Sequence, residues 1–483
     1  MGITGIAVLY ALRVNLSVAI VTMVNHTALP EPLLDNESLA DTCPGKLENA
    51  DTPLAGEFNW NEERQGLVLA AFFWGYAAGQ LPGGLLAERY GGKLVFGLGV
   101  FLTALLTLVS PFLLWWHEWF FIVARLLEGL FEGVTFPAIQ FMIANWAPPS
   151  ERSRFSMIFS GSYLGTVITM PVSGILCDSQ LLGGWPLVFY ATGAIGILWY
   201  IPWLLCVFDT PAQHPRISQA ERRFIETALH RTGQKKKLPI PWKKILATPG
   251  LWACASMHLG IGWNFFGQIT YLPSYMGEIL HYKIENNAAL SAIPYVLGGL
   301  SSLASTIILD ALITRKIVRP LTGFKIFNAM TGVGAAITLA LLPLAGCNRI
   351  LINVLLALNG ISLGAQYAGN GTNLLVLAPN FAGTMYGISN TMANAAGILA
   401  PYAVGFLTYG NQTRSAWNIM FYISAAIGAL SFIIYWVLCS EEEEAWNNPL
   451  PLEEVTSGDN NNKSKENGSN EKSHENKAYE PDA

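Results

Sequence analysis

The sequence predicts an all-α protein with twelve membrane-spanning helices, and three observations carry that prediction. Hydrophobic residues make up 52% of the 483 residues and charged ones only 13%, about half the charged share of a soluble domain. The charges are also crowded: residues 25–65 hold 11, residues 209–248 hold 12 and residues 440–483 hold 16, which leaves 22 for the other 358. Between these clusters run stretches of the length that hydrocarbon demands, about 20 mostly apolar residues. A soluble enzyme, a disordered chain and a nucleic-acid binder are excluded on these grounds. The net charge of −5 is set partly by the acidic tail. Six cysteines are too few for a disulfide scaffold.

Span 1 (3–24) begins almost at Met1 and has no cleavage-site pattern behind it, so it reads as a retained span and not a signal peptide. The polar segment 25–65 then forms an external loop. Spans 2 (66–87) and 3 (94–114) are joined by a glycine-rich turn. Span 4 (120–146) ends before Pro148-Pro149, and span 5 (156–177) and span 6 (187–208) follow. The segment 209–248 is the longest internal connector. Its string ISQAERRFIETALHR reads as a surface helix, and Lys235-Lys236-Lys237 as a solvated positive cluster or a lipid-headgroup contact. Spans 7 (250–276), 8 (288–309) and 9 (323–344) are plain apolar runs. Span 10 (350–376) is interrupted by Asn359, Gln366, Asn370 and Asn373, yet its Leu, Val and Ala residues reach the required length. Spans 11 (385–408) and 12 (417–439) precede a charged tail expected to be disordered. The expected organisation is a six-helix bundle over 1–208, the connector 209–248, a second six-helix bundle over 249–439, and the tail 440–483.

Orientation follows from the Lys/Arg bias of the loops. With the N-terminus inside, the cytoplasmic loops between spans carry 17 Lys/Arg and the opposite face five. Both termini are then cytoplasmic. Three glycosylation triplets begin at Asn25, Asn36 and Asn411 on the outer face; those at Asn462 and Asn467 lie in the tail and should stay bare. Cys43 and Cys347 both fall in external loops, where a disulfide can persist. Cys177, at the outer end of span 5, is the rival partner.

The two halves echo each other. After span 2 comes Gly84-Leu-Leu-Ala-Glu88-Arg89-Tyr-Gly91-Gly92-Lys93, and after span 8 comes Asp310-Ala-Leu-Ile-Thr-Arg315-Lys316. An acid at a cytoplasmic helix end, followed by basic residues, can pair with a neighbouring helix end or an Arg and latch that side shut. Gly84, Glu88, Arg89, Gly91, Lys93, Asp310 and Arg315 are therefore the candidate cytoplasmic gate; the bland alternative is a plain turn with positive-inside charge. With these motifs the chain resembles the major facilitator superfamily. Within it, YALRVNLSVAIVTMVN (10–25), FFWGYAAGQLPGGLLAERYGGK (72–93), RLLEGLFEGVTFPA (125–138), WAPPSERS (146–153), DTPAQHPRIS (209–218) and FAGTMYGISNT (381–391) resemble solute carrier family 17, the sialin, vesicular glutamate transporter and type I phosphate transporter family. The resemblance runs from about residue 8 to 440 and implies the major facilitator fold.

Four charges lie within spans, where each costs about 2.5–3.5 kcal/mol at mid-bilayer. Arg13 lies near the centre of span 1; Arg125, Glu128 and Glu132 share one face of span 4. They hold spans together as a structural ion-pair network, or they face a watery pathway. The chemistry suits proton-coupled anion transport. Arg13 stays charged and its fork binds a carboxylate or phosphate twice. A buried glutamate can load and release a proton, because burial disfavours its charge. The expectation is that Arg13 holds the anion, Glu132 or Glu128 carries the proton, and Arg125 tunes them or meets substrate near the outer mouth. The resemblance implies the same roles for the span 1 arginine and span 4 acids. The chain departs from family patterns at Gln140, Leu69 and Ile261, where histidine or arginine stands in some members, and at Asn373-Leu374-Leu375-Val376, which lacks a His and an Asp. The departures at Leu69 and Ile261 weigh against a vesicular glutamate transporter.

Neutral polar groups complete the candidate set. Asn264 and Gln268 in span 7, Gln366, Asn370 and Asn373 in span 10, and Asn390 and Asn394 in span 11 are candidates for substrate contact, with interhelical hydrogen bonding as the alternative. His258 reads as structural. No metal motif appears, since His117-Glu118 lacks a second His at the needed spacing, and no nucleophile–base motif marks a catalytic site. The expected activity is secondary active transport of an organic anion (sialic acid-like, or another acidic sugar or amino acid) with H⁺. Na⁺-dependent inorganic phosphate cotransport is the alternative, and a non-transporting receptor the rival class. The expected partners are a small organic or inorganic anion and the lipid bilayer, not nucleic acid, around a monomeric transport unit. No cofactor is expected beyond the coupling ion, H⁺ or Na⁺. The membrane is lysosomal, vesicular or plasma.

Overall fold

The computed structural model describes residues 1–25, 43, 56–60, 62–179, 181–229, 239–280, 284–408 and 413–447. Residues Met1–Glu443 form one compact unit. Helices cover the core of every run that the sequence marks as a span. Helix α1 is Gly2–Met23, α2 is Glu62–Tyr90 and α3 is Gly92–Trp116. Helix α4 consists of Glu118–Gly133 and Thr135–Trp146, joined through Val134. Helix α5 is Gly161–Asp178, α6 is Trp185–Cys206, α7 is Pro249–Ser274 and α8 is Ile284–Thr314. Helix α9 runs from Pro320–Ala329 through a π-helical turn, Met330–Gly334, into Ala335–Leu341. Helix α10 runs from Arg349–Gly364 through a second such turn, Tyr367–Gly371, into Thr372–Leu377. Helices α11 (Ala382–Thr408) and α12 (Arg414–Leu438) close the unit.

Among the described residues, eight helices are long and apolar enough to cross a membrane by composition alone: α1, α3, α5, α6, α8, α9, α10 and α12. The other four, α2, α4, α7 and α11, pack against one another, α2 on α4, α7 on α11 and α11 on α2. Their buried polar groups lower their hydropathy. The lipid side is apolar and bare: Leu198, Ile201 and Leu205 of α6 and Leu430, Ile433 and Val437 of α12 are exposed. In water such a face would promote association; against hydrocarbon it is at rest.

Two features place the site. Gly75 and Gly129 let α2 and α4 touch backbone to backbone, because a Cβ at Gly75 would run into Leu126 and one at Gly129 into Phe72. Small residues allow such close helix approach in membranes. The polar residues of α10 do not break it, because they find partners on neighbouring helices: Asn359, Asn370 and Asn373 within the second half, and Gln366 at Tyr163 of α5. Asn359 Nδ2 donates to Thr338 Oγ1 at 2.9 Å and to the Ala335 carbonyl at 3.2 Å. In the connector, the Ser218 hydroxyl accepts from the Glu221 N–H at 3.1 Å and starts a surface helix, Gln219–Ala228, where the sequence places one.

Candidate functional site

Arg13 projects from α1 into a cage of three rings. Its guanidinium carbon lies 4.2 Å from the Tyr76 ring centroid, 4.6 Å from Tyr10 and 5.2 Å from Phe72. Each desolvated cation–π contact contributes about 0.5–2 kcal/mol. The cage leaves one edge of the fork for a carboxylate. Arg13 Nε donates to Glu132 Oε1 at 2.9 Å, and Nη2 lies 2.5 Å from the same oxygen. Arg13 is 7% exposed and Glu132 fully buried. Glu132 Oε2 is buried without a hydrogen-bond partner, while the Tyr76 hydroxyl lies within hydrogen-bonding reach of the Arg13 guanidinium.

The second acid is held differently. Arg125 Nη1 meets Glu128 Oε2 at 2.5 Å on the same helix, and the Ser110 hydroxyl of α3 donates to Glu128 Oε1 at 3.0 Å. The Arg125 guanidinium also faces Phe72, at 5.2 Å. One ring therefore lies against both cations. The four membrane charges sort into two pairs: a local one within α4, and one that bridges α1 to α4.

Tyr10 and Tyr76, two of the rings against Arg13, also wall the cavity between the halves of the chain. This cavity, about 40 Å³, is walled by Tyr10, Tyr76, Phe136, Phe265, Phe266, Tyr367 and Tyr386, with His258, Gln366 and Asn390 as polar points. It has room for a water or so (each fills ~30 Å³ of liquid), so an organic anion enters only when the walls move. His258 Nδ1 and the Ser389 hydroxyl are 2.7 Å apart.

Towards the Glu88 end the halves are in contact. Phe159 stacks on Tyr367 at 5.3 Å and on Tyr386 at 5.9 Å. Beyond this plug, Gln140 Nε2 donates to the Gly371 carbonyl at 3.0 Å and Asn390 Nδ2 to Gln80 Oε1 at 2.9 Å. Gly84 abuts the Gly383 backbone, where a Cβ would collide. Glu88 Oε1 accepts from the Thr384 N–H at 2.9 Å and so caps the first turn of α11, whose amides would otherwise lack partners. Gly91 has φ +98°, a conformation that favours glycine. It places the Lys93 N–H 2.7 Å from Asp209 Oδ1. Burial pushes the Asp209 carboxyl up, against the pull of the Lys93 and Gly92 amides. Arg89 lies over its neighbour Tyr90. In the second copy, among the described residues, neither Asp310 nor Arg315 enters a direct ion pair and Asp310 Oδ1 has no hydrogen-bond partner, while the Arg154 charge of the first half is close enough to act on Asp310.

The profile of the Major Facilitator Superfamily matches residues 5–401. Sialin of Homo sapiens is 37% identical over 444 residues, which cover 92% of this chain and 88% of that one. A Drosophila ananassae protein with the provisional name of inorganic phosphate cotransporter is 35% identical over 452 residues, 92% of each chain. The chain belongs to the sialin family, solute carrier family 17, of the major facilitator superfamily. The fold agrees: a solved proton:xylose symporter of that superfamily superposes with TM-score 0.65 at 15% identity, covering 92% of this chain and 96% of the other. This facilitator is thus a multi-pass membrane transporter and not an enzyme.

The remaining sequence candidates fall away from the cavity of the facilitator. Asn264, Gln268, Asn370 and Asn373 are buried and bond within the second half. Asn264 Nδ2 donates to the Gly260 carbonyl, Gln268 Nε2 meets Asn359 Oδ1, Asn370 Nδ2 donates to the Cys254 carbonyl and Asn373 Nδ2 to the Tyr435 hydroxyl. In this conformation these four make the interhelical or intrahelical hydrogen bonds that the sequence leaves open as the alternative. Of the polar groups the sequence offers, Gln366 and Asn390 line the cavity, together with His258. Sequence reading passed over the Tyr10–Phe72–Tyr76 cage, although aromatic residues four apart near a membrane arginine were a usable signal. Cys43 and Cys347 form a disulfide with Cα atoms 5.5 Å apart, while Cys177, Cys206, Cys254 and Cys439 are free thiols. Asn25 is half-buried, with Nδ2 donating to Asn59 Oδ1 at 3.0 Å. Asn36, Asn411, Asn462 and Asn467 lie outside the described residues.

Proposed function

We propose that this facilitator moves an organic anion together with H⁺ by alternating access. The observation that carries the reading is the Arg13–Glu132 pair, 2.9 Å apart, beside the cavity. A guanidinium in that place needs a counter-charge. Ionised Glu132 supplies it when the carrier is empty. A proton on Glu132 frees the fork, and the carboxylate of the substrate takes over the position. Anion plus proton then travel as a set with the same net charge as the empty pair, and release of the anion returns Glu132 to Arg13. Stoichiometric coupling follows from competition for one cation.

The ring-lined wall favours an organic body, such as an acidic sugar or amino acid, whose carbon skeleton packs against aromatic faces. Inorganic phosphate presents only oxygen, so Na⁺-coupled phosphate transport is the second reading, supported by the provisional name of one relative. The Lys/Arg bias supports an arrangement with both termini and the Glu88 end in the cytoplasm. The experiment is uptake of a panel of labelled acids and phosphate into proteoliposomes, with a pH gradient or a Na⁺ gradient imposed. Acid uptake driven by the pH gradient is expected. Uptake of phosphate driven by Na⁺ alone would replace the first reading with the second, and no uptake under either gradient would favour the receptor class.

A further inference from the structure

Helix α2 carries Phe72, Tyr76, Gln80, Gly84 and Glu88 at intervals of four residues, so each neighbours the next along a row that winds round the helix by about 40° per step. The first two face the Arg13 guanidinium, at 5.2 and 4.2 Å. The other three meet α11. Gln80 Oε1 accepts from Asn390 Nδ2 at 2.9 Å, Gly84 abuts the Gly383 backbone, and Glu88 Oε1 accepts from the Thr384 N–H. One winding row of a single helix thus connects the Arg13–Glu132 pair to the seam between the halves. Gln80 is fully buried, and the Tyr76 hydroxyl lies within hydrogen-bonding reach of both the Arg13 guanidinium and the Gln80 side chain. Tyr76 therefore joins the pair to the seam. A buried polar group that loses its partner costs about 1–3 kcal/mol, so a displacement of Tyr76 is felt at Gln80.

We propose that the Gln80–Asn390 hydrogen bond is the contact through which the charge state of the Arg13–Glu132 pair sets the α2–α11 seam, with Gln80 and Asn390 as positioning residues. The inference rests on the reading of that pair as the anion and proton site. When the guanidinium turns from Glu132 to an anion, it shifts against the Tyr76 ring. That ring is 2% exposed and closely packed, so its displacement passes to Gln80 one turn further on. The Gln80 amide then leaves Asn390, and the seam loses the bond nearest the cavity. Glu88 and Gly84 lie further along the same helix and part after it.

The test uses the full chain in lipid nanodiscs and reads hydrogen–deuterium exchange of segments 80–90 and 382–392. Glu132→Gln imposes the neutral state of the acid without any substrate. It is expected to raise exchange in both segments about 2- to 30-fold, the range in which residues along a coupling route act. In chains that already carry Gln80→Leu or Asn390→Leu, Glu132→Gln should add nothing. The reciprocal pair Gln80→Asn with Asn390→Gln rebuilds a bond of the same total reach and should restore the response, which a merely structural role would not require. An equal response to Glu132→Gln in all backgrounds, or none in the otherwise unaltered chain, overturns the proposal. Proteoliposome uptake by the unaltered chain, measured alongside, separates the two ideas. Normal pH-driven uptake with no seam response removes this inference alone. A seam response without pH-driven uptake keeps the α2 connection and removes the transport reading.

Discussion

Glu132→Gln is the substitution on which the coupling mechanism turns. Glutamine keeps the shape of the side chain and an acceptor oxygen for Arg13 Nε, but it is permanently neutral. The loss is the ionic part of a fully buried pair whose Nε–Oε1 distance is 2.9 Å. Removing one partner of a buried pair outright costs about 3–5 kcal/mol. Here the retained acceptor, a hydrogen bond to a charged group, returns about 1.5–3 kcal/mol of that. The three-ring cage is untouched. The variant should therefore fold, about 2 kcal/mol less stable. Its Arg13 fork is no longer contested, so the anion should bind better. A coupling energy of about 1–3 kcal/mol between two ligands corresponds to about 5- to 150-fold in affinity, and the concentration for half-maximal exchange should fall within that range. Substrate-for-substrate exchange should persist, because it needs no proton release. Net uptake driven by a pH gradient should collapse, because the empty carrier can no longer re-form its charged pair. The assay is paired: counterflow and gradient-driven uptake of the same acid in the same proteoliposomes. Unchanged net uptake in both Glu132→Gln and Glu128→Gln would refute the reasoning, and so would weaker exchange affinity in Glu132→Gln. Glu128 is the control of interest, since its Arg125 and Ser110 partners predict a mainly structural role and hence a smaller split between the two assays.

Three further outcomes are expected. Arg13→Lys keeps the charge but replaces a planar fork, which stacks on rings and binds carboxylate twice, by a compact ammonium; transport should drop at least tenfold, with normal delivery to the membrane, and near-normal flux would remove Arg13 from the substrate site. Peptide mapping without reductant should recover Cys43 joined to Cys347, and a free Cys43 in protein from an oxidising compartment would contradict the pairing. Glycosidase treatment should shift the intact chain through Asn25, Asn36 or Asn411; a shift that survives loss of all three would reverse the orientation.

The sequence by itself determined the membrane, the runs that become helices and the residues worth attention. Hydrocarbon is so hostile to charge that Arg13, Arg125, Glu128 and Glu132 stand out against an apolar background without any coordinates. The gate string around Glu88 was legible because its glycines and charges sit where a tight turn must form. What the sequence could not decide was partnership. Spacing along α4 brings Arg125, Glu128 and Glu132 to one face, but only the tertiary arrangement, which lets Arg13 of α1 reach Glu132 across 119 residues of sequence, gives Glu132 to Arg13 and leaves Glu128 to Arg125. Asn264, Gln268, Asn370 and Asn373 were read as possible cavity residues because one polar side chain on a helix looks like another. Each residue turns the face by about 100°, so the rotation of α7 and α10 chose His258 and Gln366 for the cavity and sent the asparagines inward. The four-residue spacing of Phe72, Tyr76, Gln80, Gly84 and Glu88 was present in the sequence throughout. It acquired meaning only when α1 and α11 were placed against two ends of the same helix, because a periodic row says which residues neighbour one another along a helix and never what that row will meet.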